Sequence, residues 1–224
     1  MTTAGLIILK HCLSILCCKS LHVDFHFRCF QETEDVVFVK EVNLKDKLNK
    51  VCNSIDVMSV VVDLGGCSLK YFALGDSMAL GKQVCSFVIN CLCRKFFMDE
   101  RPTVSRKHYF VSSISEVFMS DLPDYSYVEK CFSGAASVLI LPLCDELFFP
   151  VLHGKHWFLF VVDLKNKMFI ILDWYYSKDD GFCVYTRNKL KKSFCHAWAM
   201  YVGLDPGFNN FRTCYAHVPK QANQ

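Results

Sequence analysis

The stretch "FFPVLHGKHWFLFVVDLKNKMFIILDW", Phe148 to Trp174, decides how this chain is read. Two apolar runs, Trp157 to Val162 and Met168 to Leu172, flank the polar "DLKNK", so the segment is expected to form an antiparallel hairpin turning near Lys165. His156 heads the first strand and Asp173 follows the second. With the turn centred between Leu164 and Lys165, Asp173 falls opposite His156, and a one-residue shift of the turn moves that partner by two. Either register leaves the two side chains on one side of the sheet, close enough for a carboxylate to accept a hydrogen bond from an imidazole. A strand-end histidine is ordinarily a surface residue and a strand-end aspartate a turn former. These runs are apolar on both faces, however, which puts the polar pair at the edge of a buried sheet, where active-site groups are commonly held. The pair is two thirds of a catalytic triad: the carboxylate fixes the ring's tautomer, and the second ring nitrogen faces a thiol or hydroxyl as general base.

The chain around this hairpin has the composition of an ordered protein. With 224 residues, 52% of them hydrophobic and 21% charged, it can bury a sizeable core without disulfide or metal. A net charge of +3, with "KLKK" (Lys189 to Lys192) the densest basic group, indicates neither a nucleic-acid stripe nor a polybasic membrane patch. The cysteines sit mostly inside apolar runs such as "VINCLCRKFF", which points to a reducing compartment, nucleus or cytoplasm, rather than to a secreted disulfide scaffold. The opening "MTTAGLIILKHCLSILCC" is interrupted by Lys10 and His11 and is too short for a spanning helix. Cys17-Cys18 and Cys91-x-Cys93 lack zinc-ligand spacing, so no metal or other cofactor is expected.

Along the chain, residues 1 to 70 carry strand-like runs at Val36 to Val39 and Val57 to Leu64 around a charged, helix-like "VNLKDKLNKVC", and their role is unreadable. A boundary is placed near Tyr71, after "LGG". Val84, Phe87, Val88, Cys91 and Leu92 repeat at helical spacing, and "DERP" ends that helix. Helices are expected at "SSISEVFMS" and "DYSYVEKCF", and a strand at "SVLIL" (Ser137 to Leu141). After the hairpin, Thr186 is read as an N-cap, Leu190, Phe194, Ala197, Trp198 and Tyr201 as a buried stripe, and Gly203 as the stop. "FRTCYAHV" alternates like a further strand. Helices mixed with strands around an antiparallel hairpin indicate an α+β domain.

"PVLHGKHWFLFVVDLKNKMFIILDW", followed by "VPKQANQ", closely resembles the catalytic domain of the ubiquitin-like-protein-specific (SUMO-type) proteases, a papain-like cysteine peptidase family, and most of all its divergent, transposon-associated plant members. "ALGDSMALGKQVCSFVINCLCRKFF" and "VSRKHYF" also resemble that family's upstream helix and strand, so the likeness covers roughly residues 71 to 224. The resemblance implies a mixed central sheet flanked by helices, with His156 as general base, Asp173 as its orienter and Gln221 as oxyanion-hole donor. It gives Trp157 the role of covering the tail of the modifier, with plain core beside a buried strand as the equal alternative. In the family the nucleophilic cysteine follows the glutamine by six residues, a position three residues beyond Gln224, so the domain is expected to be C-terminally incomplete and inactive as given. Cys214, the nearest thiol to Gln221, falls within a strand and is read as structural. Gln83 stands where the family usually has a tryptophan.

The expected partner is a ubiquitin-like (SUMO-like) protein or its conjugates, met by a monomer, with no nucleic acid or membrane involved. A module that grips such a modifier without cleaving it, or a decayed transposon remnant, are the alternatives to a peptidase.

Overall fold

A computed structural model describes residues 57–78 and 83–216. The runs at Val36 to Val39 and "VNLKDKLNKVC", and Gln221, lie outside the described residues. The chain divides after Val88 into two compact units, each treated by itself.

In the first unit, strand β1 (Val60–Asp63) pairs antiparallel with β2 (Ser68–Lys70). Gly65 and Gly66 supply positive φ (57° and 92°) at the turn between them, a conformation that costs a residue without a Cβ little. Helix α1 (Tyr71–Met78) follows without a break. The Ser77 hydroxyl donates to the Ala73 carbonyl at 2.7 Å and accepts from the Cys85 amide at 3.0 Å.

Helix α2 (Ser86–Asp99) ends at the expected "DERP", and Pro102 opens a short helix, α3 (Pro102–Ser105). Phe87, expected on the buried side of α2, is 64% exposed, while Ile89 and Cys93 are buried. Val84, Val88 and Cys91 of the expected stripe are buried, Leu92 is half-buried, and Phe87 alone of that set faces outward.

The second unit is organised by a five-stranded mixed sheet, β3 (Lys107–Tyr109), β4 (Glu146–His153), β5 (His156–Asp163), β6 (Met168–Leu172) and β7 (Arg212–Tyr215), adjacent in that order. The central pairs β4–β5 and β5–β6 are antiparallel, and the outer pairs β3–β4 and β6–β7 are parallel. Strand β5 is fully covered from Trp157 to Val162, as its unbroken apolar run demands of a strand buried on both faces. On one face Phe158, Phe160, Phe149 and Phe169 meet helices α4 (Ser112–Met119), α5 (Tyr125–Ala136) and α6 (Gly181–Tyr201). Phe194 of α6 is the hub, with ring contacts to Phe118, Phe132, Phe149, Phe160, Phe169, Trp198 and Phe208. Toward the other face, Phe96 of α2 packs on Tyr109, which stacks on Phe148 at 4.7 Å.

Helix α6 carries the expected stripe, with Leu190, Phe194, Ala197 and Trp198 buried, and stops where expected, with Gly203 at φ 81° donating to the Trp198 carbonyl. Its start differs. Asp180 is the N-cap, accepting from the Phe182 amide at 2.8 Å, and Thr186 lies inside the helix with its hydroxyl turned back to the Phe182 carbonyl. The "SVLIL" strand is likewise absent. Ser137 to Leu139 finish α5 through amide bonds to Ser133 and Ala135, and Leu141–Leu143 form a single 3-10 turn at Pro142.

One charged row crosses the sheet. Lys107, Glu146 and Asp163 are register partners on β3, β4 and β5. The Lys107 ammonium, 2% exposed, stands 3.5 Å from Glu146 Oε2, an ion pair without hydrogen-bond alignment. Burial pushes the Glu146 carboxyl above its ordinary range, and the Lys107 charge opposes that shift.

Candidate active site

His156 is placed by the tightest connection in the sheet. "HGKH" closes the β4–β5 hairpin in two residues, with Gly154 at φ 55° and Lys155 at φ 62°, the paired positive angles of a type I′ turn. His153 and His156 face each other as its last register pair.

Asp173 is placed by β6 and by its own turn. The β5–β6 register runs from Asp163 opposite Met168 to Leu159 opposite Leu172, one turn residue later than expected. The loop explains the shift. Asp163 accepts from the Asn166 amide and side chain, both at 2.8 Å, and Lys167 takes φ 54°, so the turn is centred between Lys165 and Asn166. Extended by one residue, that register sets Asp173 level with Phe158. The shift moves the partner by two positions, so Asp173 stays on the His156 side of the sheet as a diagonal neighbour.

His156 Nε2 lies 3.0 Å from Asp173 Oδ1. The same oxygen accepts from the amides of Tyr175 at 2.8 Å and Tyr176 at 2.9 Å, an Asx turn that aims the carboxylate before the imidazole arrives. The second oxygen, Oδ2, has the Cys183 thiol at 3.9 Å. With side chains 12% and 3% exposed, the pair interacts in a site largely closed to water, where its hydrogen bond is stronger than in bulk. Donation from Nε2 leaves Nδ1 as the acceptor, free to take a proton from a nucleophile. Rings of Phe158, Trp174, Tyr175, Tyr176 and Phe182 surround the imidazole at centroid distances of 5.1 to 6.0 Å.

The structure brings His156 and Asp173 together and removes Trp157 from them. Trp157 is 0% exposed, and because neighbouring residues of a strand point to opposite faces, its ring lies across the sheet from His156. Of the two roles open to it from sequence, modifier-tail cover or core, its burial is that of a core residue. Gln221 is not described, but β7 runs parallel to β6, with Tyr215 opposite Ile171, so the chain leaves β7 at the end of the sheet that carries Asp173. Cys214 lies within β7 with its sulfur 3.4 Å from that of Met168. Cys183 is 1% exposed, with its thiol on the Asp173 carboxylate. Gln83 precedes α2 with its side-chain nitrogen buried and without a hydrogen-bond partner among the described residues. Among the described residues, no cluster of three His, Cys, Asp or Glu side chains is placed to hold a metal.

Sequence reasoning missed the aromatic surround and the Asp180 cap. The signal for both was the run "DWYYSKDDGF", an Asx-turn former followed by rings and then by two cap-forming aspartates.

No family model matches the chain, and no curated protein matches it. Solved structures do. The C-terminal Ulp1 protease domain in complex with Smt3, the yeast ortholog of SUMO, superposes with a TM-score of 0.63 at 17% identity, over 82% of this chain and 76% of that one. The SUMO protease Ulp1 with its catalytic cysteine oxidized to a sulfenic acid gives 0.61 at 16% identity, over 82% and 75%. The sulfinic acid form gives 0.59 at 16% identity over the same shares. At this identity the likeness carries the architecture: the chain has the α+β fold of the Ulp1 protease domain, a mixed central sheet flanked by helices.

Proposed function

We propose that this chain carries a cysteine-type peptidase domain acting on ubiquitin-like (SUMO-like) modifiers or their conjugates, in the nucleus or cytoplasm. The observation that carries it is the 3.0 Å contact of His156 Nε2 with Asp173 Oδ1 at neighbouring strand ends, in a fold shared with proteases whose catalytic group is a cysteine. His156 takes the thiol proton at Nδ1 while Asp173 stabilises the imidazolium. The thiolate adds to the scissile carbonyl, and the oxyanion is met by the Gln221 side-chain amide. Collapse expels the amine, which receives the proton from His156, and water then hydrolyses the thioester. On this assignment the thiol belongs at the third position after Gln224, at a helix start, where the helix dipole favours the thiolate.

The test uses two polypeptides: the 224-residue chain and the product of its reading frame continued past Gln224. Each is incubated with ubiquitin-like modifiers carrying a C-terminal fluorophore. Turnover by the longer product alone, lost on His156→Ala, is expected. A frame that supplies no cysteine at that position, combined with tight modifier binding, would replace peptidase with binding module.

A further inference from the structure

We propose that the outward face of α6 is a groove that holds an extended, acidic segment of the polypeptide substrate, three to five residues from the scissile carbonyl. The identity of the occupant as substrate rests on the peptidase assignment; the groove and its charge do not.

Phe182, Tyr185, Lys189, Lys192 and His196 recur at intervals of three and four residues, so they form one stripe along α6, opposite the buried stripe of Leu190, Phe194 and Ala197. The stripe is graded, with rings beside the candidate site and cations further along. It begins at the site itself, since the Phe182 ring is 5.7 Å from His156 and 5.6 Å from His153. His153 in turn is 5.9 Å from Tyr185, which lines a groove of about 660 Å³ between α6 and the loop that leads into α5. Contiguous rings therefore join the candidate base to the groove, and flat aromatic surfaces of this kind accept an extended peptide with little loss of side-chain entropy.

The charge in the groove selects the peptide. Lys189 is engaged by Asp121 and by the Tyr185 hydroxyl, while Lys192 has no partner among the described residues. Asp121 is the acid of the lining, and its charge is answered by Lys189, so the cation left over is Lys192. A carboxylate is the group that completes it. The spacing follows from helix geometry: at about 1.5 Å per residue, Lys189 and Lys192 lie about 10 and 15 Å along α6 from Phe182. A peptide extended at about 3.3 Å per residue covers that span in three to five residues. With Lys189 already answered by Asp121, one uncompensated lysine is left in the groove, which suits a carboxylate better than the repeated charges of a phosphate backbone.

The 224-residue chain is titrated, by fluorescence anisotropy at low salt, into labelled decapeptides that carry paired glutamates toward one end or the other. Matched peptides have glutamine in place of glutamate. One acidic peptide should bind about tenfold tighter than its glutamine twin, and added salt should erase the difference. Lys192→Glu and the milder Lys192→Gln should abolish the preference with an unchanged thermal melt, and Tyr185→Ala should weaken both twins. Equal binding of the twins, a preference that survives Lys192→Glu, or displacement of the peptide by a single-stranded oligonucleotide would overturn the proposal. No turnover is read, so a failure of the peptidase assignment at His156 leaves this result standing, and a failure of the peptide preference leaves the His156–Asp173 pair untouched.

Discussion

His156 and Asp173 are hydrogen-bonded across 3.0 Å without being register partners; the carboxylate reaches back along the sheet from the level of Phe158. Three donors converge on one of its oxygens, so the carboxylate is fixed whether or not the imidazole is present.

In a form of the chain that carries the nucleophile, His156→Ala should lower kcat by about 10²- to 10⁴-fold with little change in modifier affinity, since the ring acts on protons rather than on binding. Stopped-flow and binding measurements on this variant check both. A loss of affinity matching the loss of kcat would show the ring to be a binding group instead.

Phe194→Ala should cost about 3–5 kcal/mol, because the ring touches all three helices of its face and both central aromatic strands. Urea denaturation checks it. A loss below about 1 kcal/mol would mean that the core collapses freely around the hole.

Lys107→Met should destabilise the fold by about 3–5 kcal/mol, leaving Glu146 buried without its cation. Pairing it with Glu146→Leu should recover most of that loss, and a double-mutant cycle measures the coupling. Additive single effects would mean that the two residues do not depend on each other.

His108 should make the fold sensitive to mild acid. The ring is 3% exposed, lies between Phe97 and Phe110, and has Nε2 3.2 Å from the Ala135 carbonyl; burial brings its pKa down from 6.5 to about 4. The unfolded chain thus binds a proton that the folded chain refuses, and stability falls as pH drops from 6.5 toward 4. The slope should approach about 1.4 kcal/mol per pH unit, and the full loss about 3 kcal/mol. His108→Gln should flatten the part of the curve between pH 6.5 and about 5, above the range of ordinary carboxylates. Denaturant melts across pH decide it, and an unchanged slope in the variant would place the titration elsewhere.

What was legible in the sequence is what depends on period. The hairpin, the buried stripe of α6 and the same-side placement of His156 and Asp173 follow from alternation and helical spacing, and a register shifted by one turn residue preserves them because strand faces repeat every two positions. What was not legible depends on contacts between elements that are distant in sequence. "SVLIL" is apolar enough for a strand, but no neighbouring strand offers it a ladder, so it closes a helix instead. Thr186 and Asp180 are both good caps, and the helix starts at Asp180, at the end of the Ser177–Asp180 turn, so Thr186 falls inside it. Phe87 departed from expectation for the same reason: the layers that cover a side chain are not written beside it.

The two-residue turn at Gly154-Lys155 has a consequence for how this protein can change. A longer loop would let a hairpin drift in phase, whereas two residues in paired positive φ leave no slack, so a single inserted residue there would have to rotate His156 to the far side or push it off the ladder. Substitution within the turn is open to asparagine or glycine; a change of length is not. Insertions that leave the candidate base in place belong in longer connections, such as the four-residue loop from Leu164 to Lys167, where the carboxylate has already kept its partner from a register one turn residue away from the expected one.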